Sequence, residues 1–203
     1  MIAIVDYNMG NLASVKNAFR VLGSDVTVES DPEKFKTYEK LILPGVGAFG
    51  DAMEHLKERG MDEALRSYAR SGRYMMGICL GMQLLFDESD EFGPNEGLGL
   101  IKGRVQAFDT TRFTHPLKVP HMGWNRIFTQ GHPLFGGLDE AHYLYFVHSY
   151  HVVCDDGADS IGRTEYGYSF TSAVAHGNIL GIQPHPEKSH RNGLQILRNF
   201  ISL

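Results

Sequence analysis

A cysteine between two glycines is the residue of this chain most clearly placed for covalent chemistry. Cys79 lies in the stretch GICLG, residues 77–81, after an apolar run and before apolar residues that are predicted to form a helix. A sharp strand-to-helix turn of this form exposes a nucleophile, and glycines two positions away remove side chains that would clash. The helix N-terminus favours a thiolate, and the Leu80 N–H is directed to where an oxyanion forms. A buried structural cysteine is the alternative, and this motif alone does not decide between them.

A histidine and a glutamate two residues apart supply the partners that such a cysteine needs. His185 and Glu187 lie in GIQPHPEKS, residues 181–189, and in extended backbone both side chains leave the same face. A carboxylate beside an imidazole fixes its tautomer and stabilises its cation, as in a nucleophile–histidine–acid triad. A surface turn held by Pro184 and Pro186 is the simpler reading. Together with Cys79, the pair favours the triad.

A glycine-flanked loop is predicted to lie beside the cysteine. Pro44-Gly45-Val46-Gly47 ends the third predicted strand, next to the strand that leads to Cys79 if the sheet is parallel. Backbone N–H groups in such a loop can form an oxyanion hole, and the loop can admit a substrate carboxamide. A plain strand-to-helix turn uses glycine equally readily.

The elements that position these residues alternate through the first half of the chain. Apolar runs at 2–6, 25–29, 40–45 and 73–78 predict strands. Helices are predicted from Asn11 to Gly23 and, broken near Gly60, from 48 to 71, while Asp31-Pro32 resembles a helix N-cap. From about Leu98 short strands dominate, with a hairpin at 172–182 turning at Gly177-Asn178, and a final helix at 190–201. The pattern predicts an α/β fold whose mostly parallel sheet is flanked by helices, with an antiparallel region in the second half.

Overall composition limits the kind of partner. The 203 residues carry a net charge of −5 and 42% apolar residues, which gives no reason to expect nucleic acid or an anionic membrane as partner. The N-terminal apolar run stops at Asp6, so no targeting or transmembrane segment is expected. Two cysteines, Cys79 and Cys154, are predicted to be reduced thiols in the cytoplasm. The ten histidines are scattered without ligand spacing, so neither a metal nor another cofactor is expected.

Five motifs together resemble a known family. LPGVGAFG, GICLGMQLLF, PHMGWN, YFVHSY and HPEKS, in this order and spacing, are similar to those of the class I glutamine amidotransferases. PHMGWN and YFVHSY, at 120–125 and 145–150, point to the glutaminase subunits of imidazole glycerol phosphate synthase. The resemblance runs from the first strand to the last helix and implies a single glutaminase domain over residues 1–203.

The resemblance implies a reaction that these residues support. Cys79 would attack the side-chain amide of L-glutamine, His185 would protonate the departing ammonia, and Glu187 would hold His185. The backbone of Val46 and Leu80 would form the oxyanion hole. The resemblance also assigns substrate contacts, which are Gly45, Gly47, Gln83, Glu91, Ser149 and Tyr150.

The family also implies a partner. Its members pass ammonia to a (β/α)₈-barrel cyclase subunit that makes imidazole glycerol phosphate and an aminoimidazole carboxamide ribotide in histidine biosynthesis, so a heterodimer is expected. Asn11, Trp124, Tyr145 and Lys188 would contact that partner. Trp124 fits either an interface or a core. Two further residues have simpler roles open to them, since Glu91 could end a solvated helix and His148 is predicted to be a hydrogen-bonded core residue.

One position departs from the family. Pro184 precedes His185 where an aromatic residue is usual, which changes the local backbone and puts the subfamily in doubt more than the chemistry. A glutaminase subunit serving a sugar-modifying amidotransferase of surface-polysaccharide biosynthesis is therefore an alternative. An inactive partner-binding module is disfavoured because Cys79, His185 and Glu187 are all present, and an α/β-hydrolase because its acid precedes its histidine.

Overall fold

Parallel strands carry the first half of the chain and antiparallel strands most of the second. A computed structural model describes residues 1–139 and 141–203. The helices are α1 Leu12–Val21, α2 Phe49–Glu58, α3 Met61–Arg70, α4 Leu80–Gln83 and α5 His190–Ser202. The strands are β1 Ile2–Val5, β2 Val26–Glu29, β3 Lys40–Leu43, β4 Met75–Ile78, β5 Phe86–Ser89, β6 Asn95–Glu96, β7 Ile101–Ala107, β8 His121–Thr129, β9 Ala141–His148, β10 Tyr150–Cys154, β11 Ser160–Tyr166, β12 Tyr168–His176 and β13 Ile179–Ile182.

One mixed sheet joins the strands of the described residues. Its main path runs β2-β1-β3-β4-β13-β12-β10-β7-β5-β6, and β11, β8 and β9 extend from β12. From β2 to β13 all neighbours are parallel, whereas β12 is antiparallel to β13 and begins the second region. Because the carboxyl ends of β3, β4 and β13 lie side by side, the three segments that follow these strands meet at one edge.

The alternation of side chains along β1 separates two layers of core. Ala3 and Val5 pack with apolar residues of α2 and α3, while Ile2 and Ile4 pack on the opposite face with residues of α1 and α5. Successive strand residues point to opposite faces, so a strand buried on both sides reads as a continuous apolar run. This is the α/β architecture that the sequence pattern predicts.

Several local predictions are confirmed. Asp31 caps a 3₁₀ helix at Pro32–Thr37 and accepts a 3.0 Å hydrogen bond from the Glu33 N–H. Gly60, at a φ of 65°, separates α2 from α3. The hairpin β12–β13 turns at Gly177-Asn178, and α5 forms the final helix.

The helix predicted after Cys79 is shorter than expected. It ends at Gln83, and Phe86 begins β5, so the change to strand-rich structure starts before Leu98. The carbonyls of Leu84 and Leu85 accept hydrogen bonds from the N–H groups of Leu98, Leu100 and Ile101 instead of continuing a helix. The run from 84 to 86 is fully buried, and a run without polar positions carries no period by which a helix and a strand can be distinguished.

None of the helices within residues 1–139 and 141–203 combines the length and apolar character needed to cross a membrane.

Candidate active site

The turn that holds Cys79 is strained, as its motif predicts. Cys79 connects β4 to α4 with a φ of 56° and a ψ of −116°, a region that residues with a side chain rarely occupy. Its N–H donates a 2.8 Å hydrogen bond to the Ile182 carbonyl of β13. A side chain at Gly81 would collide with the Leu43 carbonyl, and one at Gly77 with the Gly81 backbone. Both glycines are therefore required for this close approach.

His185 and Glu187 form a buried pair behind Cys79. The His185 Nδ1 lies 2.7 Å from the Glu187 Oε1, and the two side chains are only 3% and 2% exposed. Burial opposes the imidazolium, but the neighbouring Cys79 sulfur and the hydrogen-bonded Glu187 carboxylate outweigh it and raise the pKa of His185 to about 10. This raised pKa favours the protonated form of His185.

The backbone reason for this proximity differs from the prediction. Only His185 is extended, with φ −95° and ψ 96°, whereas Glu187 lies in a 3₁₀ turn at Pro186–Lys188. The turn folds the carboxylate back onto Nδ1, so the pair does not rest on two extended residues that share one face.

A ring of three hydrogen bonds fixes the backbone of His185 to β9. The His185 N–H donates to the Tyr145 carbonyl at 2.9 Å, the Tyr145 N–H donates to the Ser189 Oγ at 2.9 Å, and that hydroxyl donates to the His185 carbonyl at 2.6 Å. Ser189 is buried, so water does not compete for these bonds. Pro184 removes no bond from this ring, and the Gln183 N–H before it donates to the Ser172 carbonyl at 2.9 Å.

The loop at 44–47 lies against the cysteine turn, as predicted. A side chain at Gly45 would clash with Leu80 and Gly81, and Gly47 has a φ of 101°. The Tyr7 hydroxyl donates a 2.8 Å hydrogen bond to the Pro44 carbonyl and holds the start of the loop. Val46 itself is 43% exposed.

A cavity of about 380 Å³ brings most of the predicted residues together. Gly45 and Glu187 lie behind its surface, and three residues that sequence reasoning missed also line it. Val147 and His148 belong to the YFVHSY stretch and Pro120 begins PHMGWN, so these two motifs were the available signal. The lining residues are Val46, Gly47, Cys79, Leu80, Gln83, Glu91, Pro120, Val147, His148, Ser149, Tyr150 and His185.

Glu91 lies at the rim of this cavity and does not end a helix. It follows β5, and its Oε2 accepts a 2.8 Å hydrogen bond from the Phe49 N–H at the start of α2. Burial raises the pKa of Glu91, the bond from Phe49 lowers it, and the charges of Asp51 and Asp90 raise it further, with a net increase. One carboxylate therefore caps α2 and faces the cavity.

All four predicted interface residues are at least partly exposed. Trp124 is 47% exposed, pairs with Tyr145 across β8 and β9 at 6.0 Å between ring centroids, and stacks on His190 at 5.2 Å. Lys188 is exposed in the turn that carries Glu187. Asn11 caps α1, which packs against that same turn, and accepts a 3.3 Å hydrogen bond from the Ser14 N–H.

No three histidine, cysteine, aspartate or glutamate side chains of the described chain come together as metal ligands. The two cysteines are free thiols.

The amino-acid sequence is similar to a known protein family and to individual members of it. The family profile "Glutamine amidotransferase class-I" matches residues 3–203. Imidazole glycerol phosphate synthase subunit HisH of Sulfurimonas denitrificans is 74% identical over 98% of this chain and 97% of its own length. The subunit of the same name from Wolinella succinogenes is 52% identical over the full length of both chains.

Structural comparison agrees at the level of the fold. A structure titled "Crystal structure of glutamine amidotransferase" superposes with a TM-score of 0.77 at 19% identity, over 100% of this chain and 98% of the other. PurLQS from Thermotoga maritima gives a TM-score of 0.78 at 19% identity, over 99% and 97% of the two chains. From its match to the family profile and its identity with full-length relatives, the chain belongs to the class I glutamine amidotransferases and, among them, to the HisH subunits of imidazole glycerol phosphate synthase.

Proposed function

We propose that this chain is a glutaminase subunit that hydrolyses L-glutamine to glutamate and supplies the ammonia to a cyclase subunit, as part of an imidazole glycerol phosphate synthase in histidine biosynthesis. The observation that carries the proposal is the cavity lined by both Cys79 and His185, with His185 paired to Glu187. Its volume of about 380 Å³ accommodates an amino acid. In this proposal, residues 1–203 form a single glutaminase domain.

Cys79 performs the first step. Its sulfur attacks the side-chain carbonyl carbon of glutamine, and the N–H groups of Leu80 and Val46 stabilise the resulting oxyanion. The imidazolium of His185 gives its Nε2 proton to the leaving nitrogen, and the C–N bond breaks to release ammonia. A glutamyl thioester on Cys79 remains.

Water completes the cycle. Neutral His185 removes a proton from a water molecule, which attacks the thioester carbon, and the C–S bond breaks to release glutamate and the Cys79 thiolate. In both steps the Glu187 carboxylate accepts the hydrogen bond from Nδ1–H and stabilises the cationic form of the ring.

The rim of the cavity binds the amino-acid end of glutamine. The Glu91 carboxylate faces the ammonium group, and Gln83 with the backbone of Gly45, Gly47, Ser149 and Tyr150 shapes the rest of the pocket. The Phe49 N–H keeps Glu91 in place for this contact.

An exposed apolar face on β8 and β9 supports a protein partner. Met122, Trp124, Phe128 and Tyr143 project from β8 and β9, with exposures between 43% and 61%. Exposed aromatic clusters of this kind are typical of interfaces. The cyclase subunit, a (β/α)₈ barrel, docks here with Asn11, Trp124, Tyr145 and Lys188 in contact, and ammonia passes across the interface without entering bulk water.

Glutamate release tests the proposal. It is measured for the purified chain alone, then with a cyclase subunit and its ribulosyl substrate, and we expect the complex to be at least about tenfold faster. Trp124→Ala is expected to weaken the partner's effect, whereas Val21→Ala, which truncates an exposed apolar side chain at the far end of α1, leaves it unchanged. Hydrolysis that does not respond to the cyclase would refute the assigned partner, and no hydrolysis in either condition would refute the glutaminase.

A further inference from the structure

A buried glutamine that the mechanism leaves unused reaches the nucleophile. Gln183 is fully buried, and its Nε2 lies 3.8 Å from the Cys79 sulfur. Gln183 lies between β13 and His185, so the nucleophile has the imidazole and this amide as neighbours from one short segment. The sequence stretch GIQPHPEKS contains Gln183, but nothing in its spacing indicates contact with Cys79.

The amide of Gln183 has one consistent orientation. The Gln83 Nε2 donates to the Tyr150 carbonyl at 3.1 Å, which fixes its nitrogen because a carbonyl only accepts. The same nitrogen lies 3.0 Å from the Gln183 Oε1 and donates to it as well. Reversing the Gln183 amide would place two donors face to face. Its N–H₂ group therefore points at the sulfur.

A second chain of hydrogen bonds, through the buried His148 and His121, also reaches the Tyr150 carbonyl. The His148 Nδ1 donates to the Tyr150 carbonyl at 2.8 Å, so in the neutral ring its Nε2 must accept. The His121 Nδ1 supplies that hydrogen at 2.9 Å, and the Asn125 amide donates to the His121 Nε2 at 3.1 Å. Burial lowers the pKa of His121 to about 4. Burial and the neighbouring His121 ring lower the pKa of His148 to about 3. Both rings are therefore neutral near pH 7.

We infer that Gln183 is a further catalytic residue, an inference that rests on the proposed function. Its side-chain N–H donates to the Cys79 sulfur and stabilises the thiolate. The orientation of this amide is set by Gln83, the Tyr150 carbonyl and the His121–His148 pair. A donor to a charged sulfur favours the charged form, as hydrogen bonds to anions do in general. Gln83 and His148 act through Gln183 and are positioning residues.

Alkylation by iodoacetamide tests this inference without depending on glutamine turnover. The reaction is followed at Cys79 by peptide mass spectrometry, between pH 5.5 and 9, in Cys154→Ser protein. For Gln183→Met, which keeps an unbranched side chain without a donor, we expect the Cys79 rate at pH 6.5 to fall about tenfold and its pH profile to move to higher pH. Ser172→Ala is the matched control, because its buried hydroxyl bonds Thr164 and does not reach the sulfur.

An unchanged Cys79 profile in Gln183→Met would overturn the inference, as would an equal change in Ser172→Ala. If wild-type protein showed no glutamine hydrolysis with or without a cyclase, the proposed function would fail while the alkylation result still decided the role of Gln183.

A second pair of variants covers the case in which Gln183→Met does not fold. His148→Asn keeps a donor near the position of Nδ1, whereas His148→Gln places its amide near Nε2 and leaves the Tyr150 carbonyl without that bond. We expect the Cys79 alkylation rate to be lower in His148→Gln than in His148→Asn by about threefold. Equal rates in the two variants would contradict the orienting role.

Discussion

The two cysteines of this chain show how placement decides what a thiol does. Cys79 occupies a strained turn beside a cavity, with a charged imidazole and a buried amide as neighbours. Cys154 ends the regular strand β10, where burial and the charge of Asp159 raise its pKa to about 11. Both are reduced and largely shielded from water. Burial alone therefore does not distinguish the two thiols, whereas the charges and backbone around each sulfur do.

Removing each sulfur in turn is the strongest test of this comparison. We expect Cys79→Ala to lower glutamine turnover at least about 10³-fold, because no other group forms the thioester. Cys154→Ala should stay within about twofold of the wild-type kcat/KM. Both are measured as glutamate release, with circular dichroism confirming that each variant is folded. Similar losses of glutamine turnover in Cys79→Ala and Cys154→Ala would contradict the assignment of different roles to the two cysteines.

Glu187→Gln removes a negative charge near Cys79 and leaves the surroundings of Cys154 unchanged. We expect kcat to fall about 10²- to 10³-fold, since the imidazole loses the anion that orients it and stabilises its cation. The Glu187 charge helps to raise the pKa of His185, so its removal lowers that pKa and moves the alkaline limb of the pH–rate profile to lower pH. An alkaline limb at the wild-type position would contradict this assignment.

Direct alkylation compares the two thiols in one molecule. At pH 7 we expect iodoacetamide to modify Cys79 about 10²-fold faster than Cys154, because only the thiolate reacts and a pKa of about 11 leaves Cys154 almost entirely protonated. Mass spectrometry of the two peptides gives both rates from one sample. Equal rates in the folded protein would show that the structure does not discriminate between them.

The smallest predicted effect concerns stability at high pH. A cysteine with a folded pKa of about 11 and an unfolded value near 9 stabilises the folded state below pH 9, and this contribution is lost as pH rises towards 11. We expect the unfolding free energy of wild-type protein to fall by about 1–2 kcal/mol more than that of Cys154→Ser over this interval, after allowance for partial exposure. Urea titrations at pH 8 and 10.5 measure the difference.

The sequence predicts those parts of the site that depend on neighbouring residues. Gly77 and Gly81 are needed because the cysteine turn brings backbone into contact with backbone, and their spacing is visible in the chain. The closeness of His185 and Glu187 was also predictable, although the 3₁₀ turn that produces it was not.

Features that join distant segments left no local signal. Glu91 caps α2 through Phe49, which lies 42 residues earlier, and Gln183 meets Gln83 across 100 residues. The early start of β5 at Phe86 was hidden for another reason, since a wholly buried run has no polar positions to mark its period.

The hydrogen-bonded ring of Tyr145, Ser189 and His185 restricts how this subunit can diverge. Tyr145 belongs to the proposed docking face, yet its carbonyl accepts from the N–H of the proposed catalytic histidine, and its N–H is linked through the Ser189 hydroxyl to the His185 carbonyl. A substitution that shifts β9 by a few tenths of an ångström to suit a new partner also shifts His185, because such short bonds tolerate little displacement. Changes at the docking face and changes in the rate of glutamine hydrolysis are thus coupled. A variant that adapts to a different partner subunit therefore also needs compensating changes around His185.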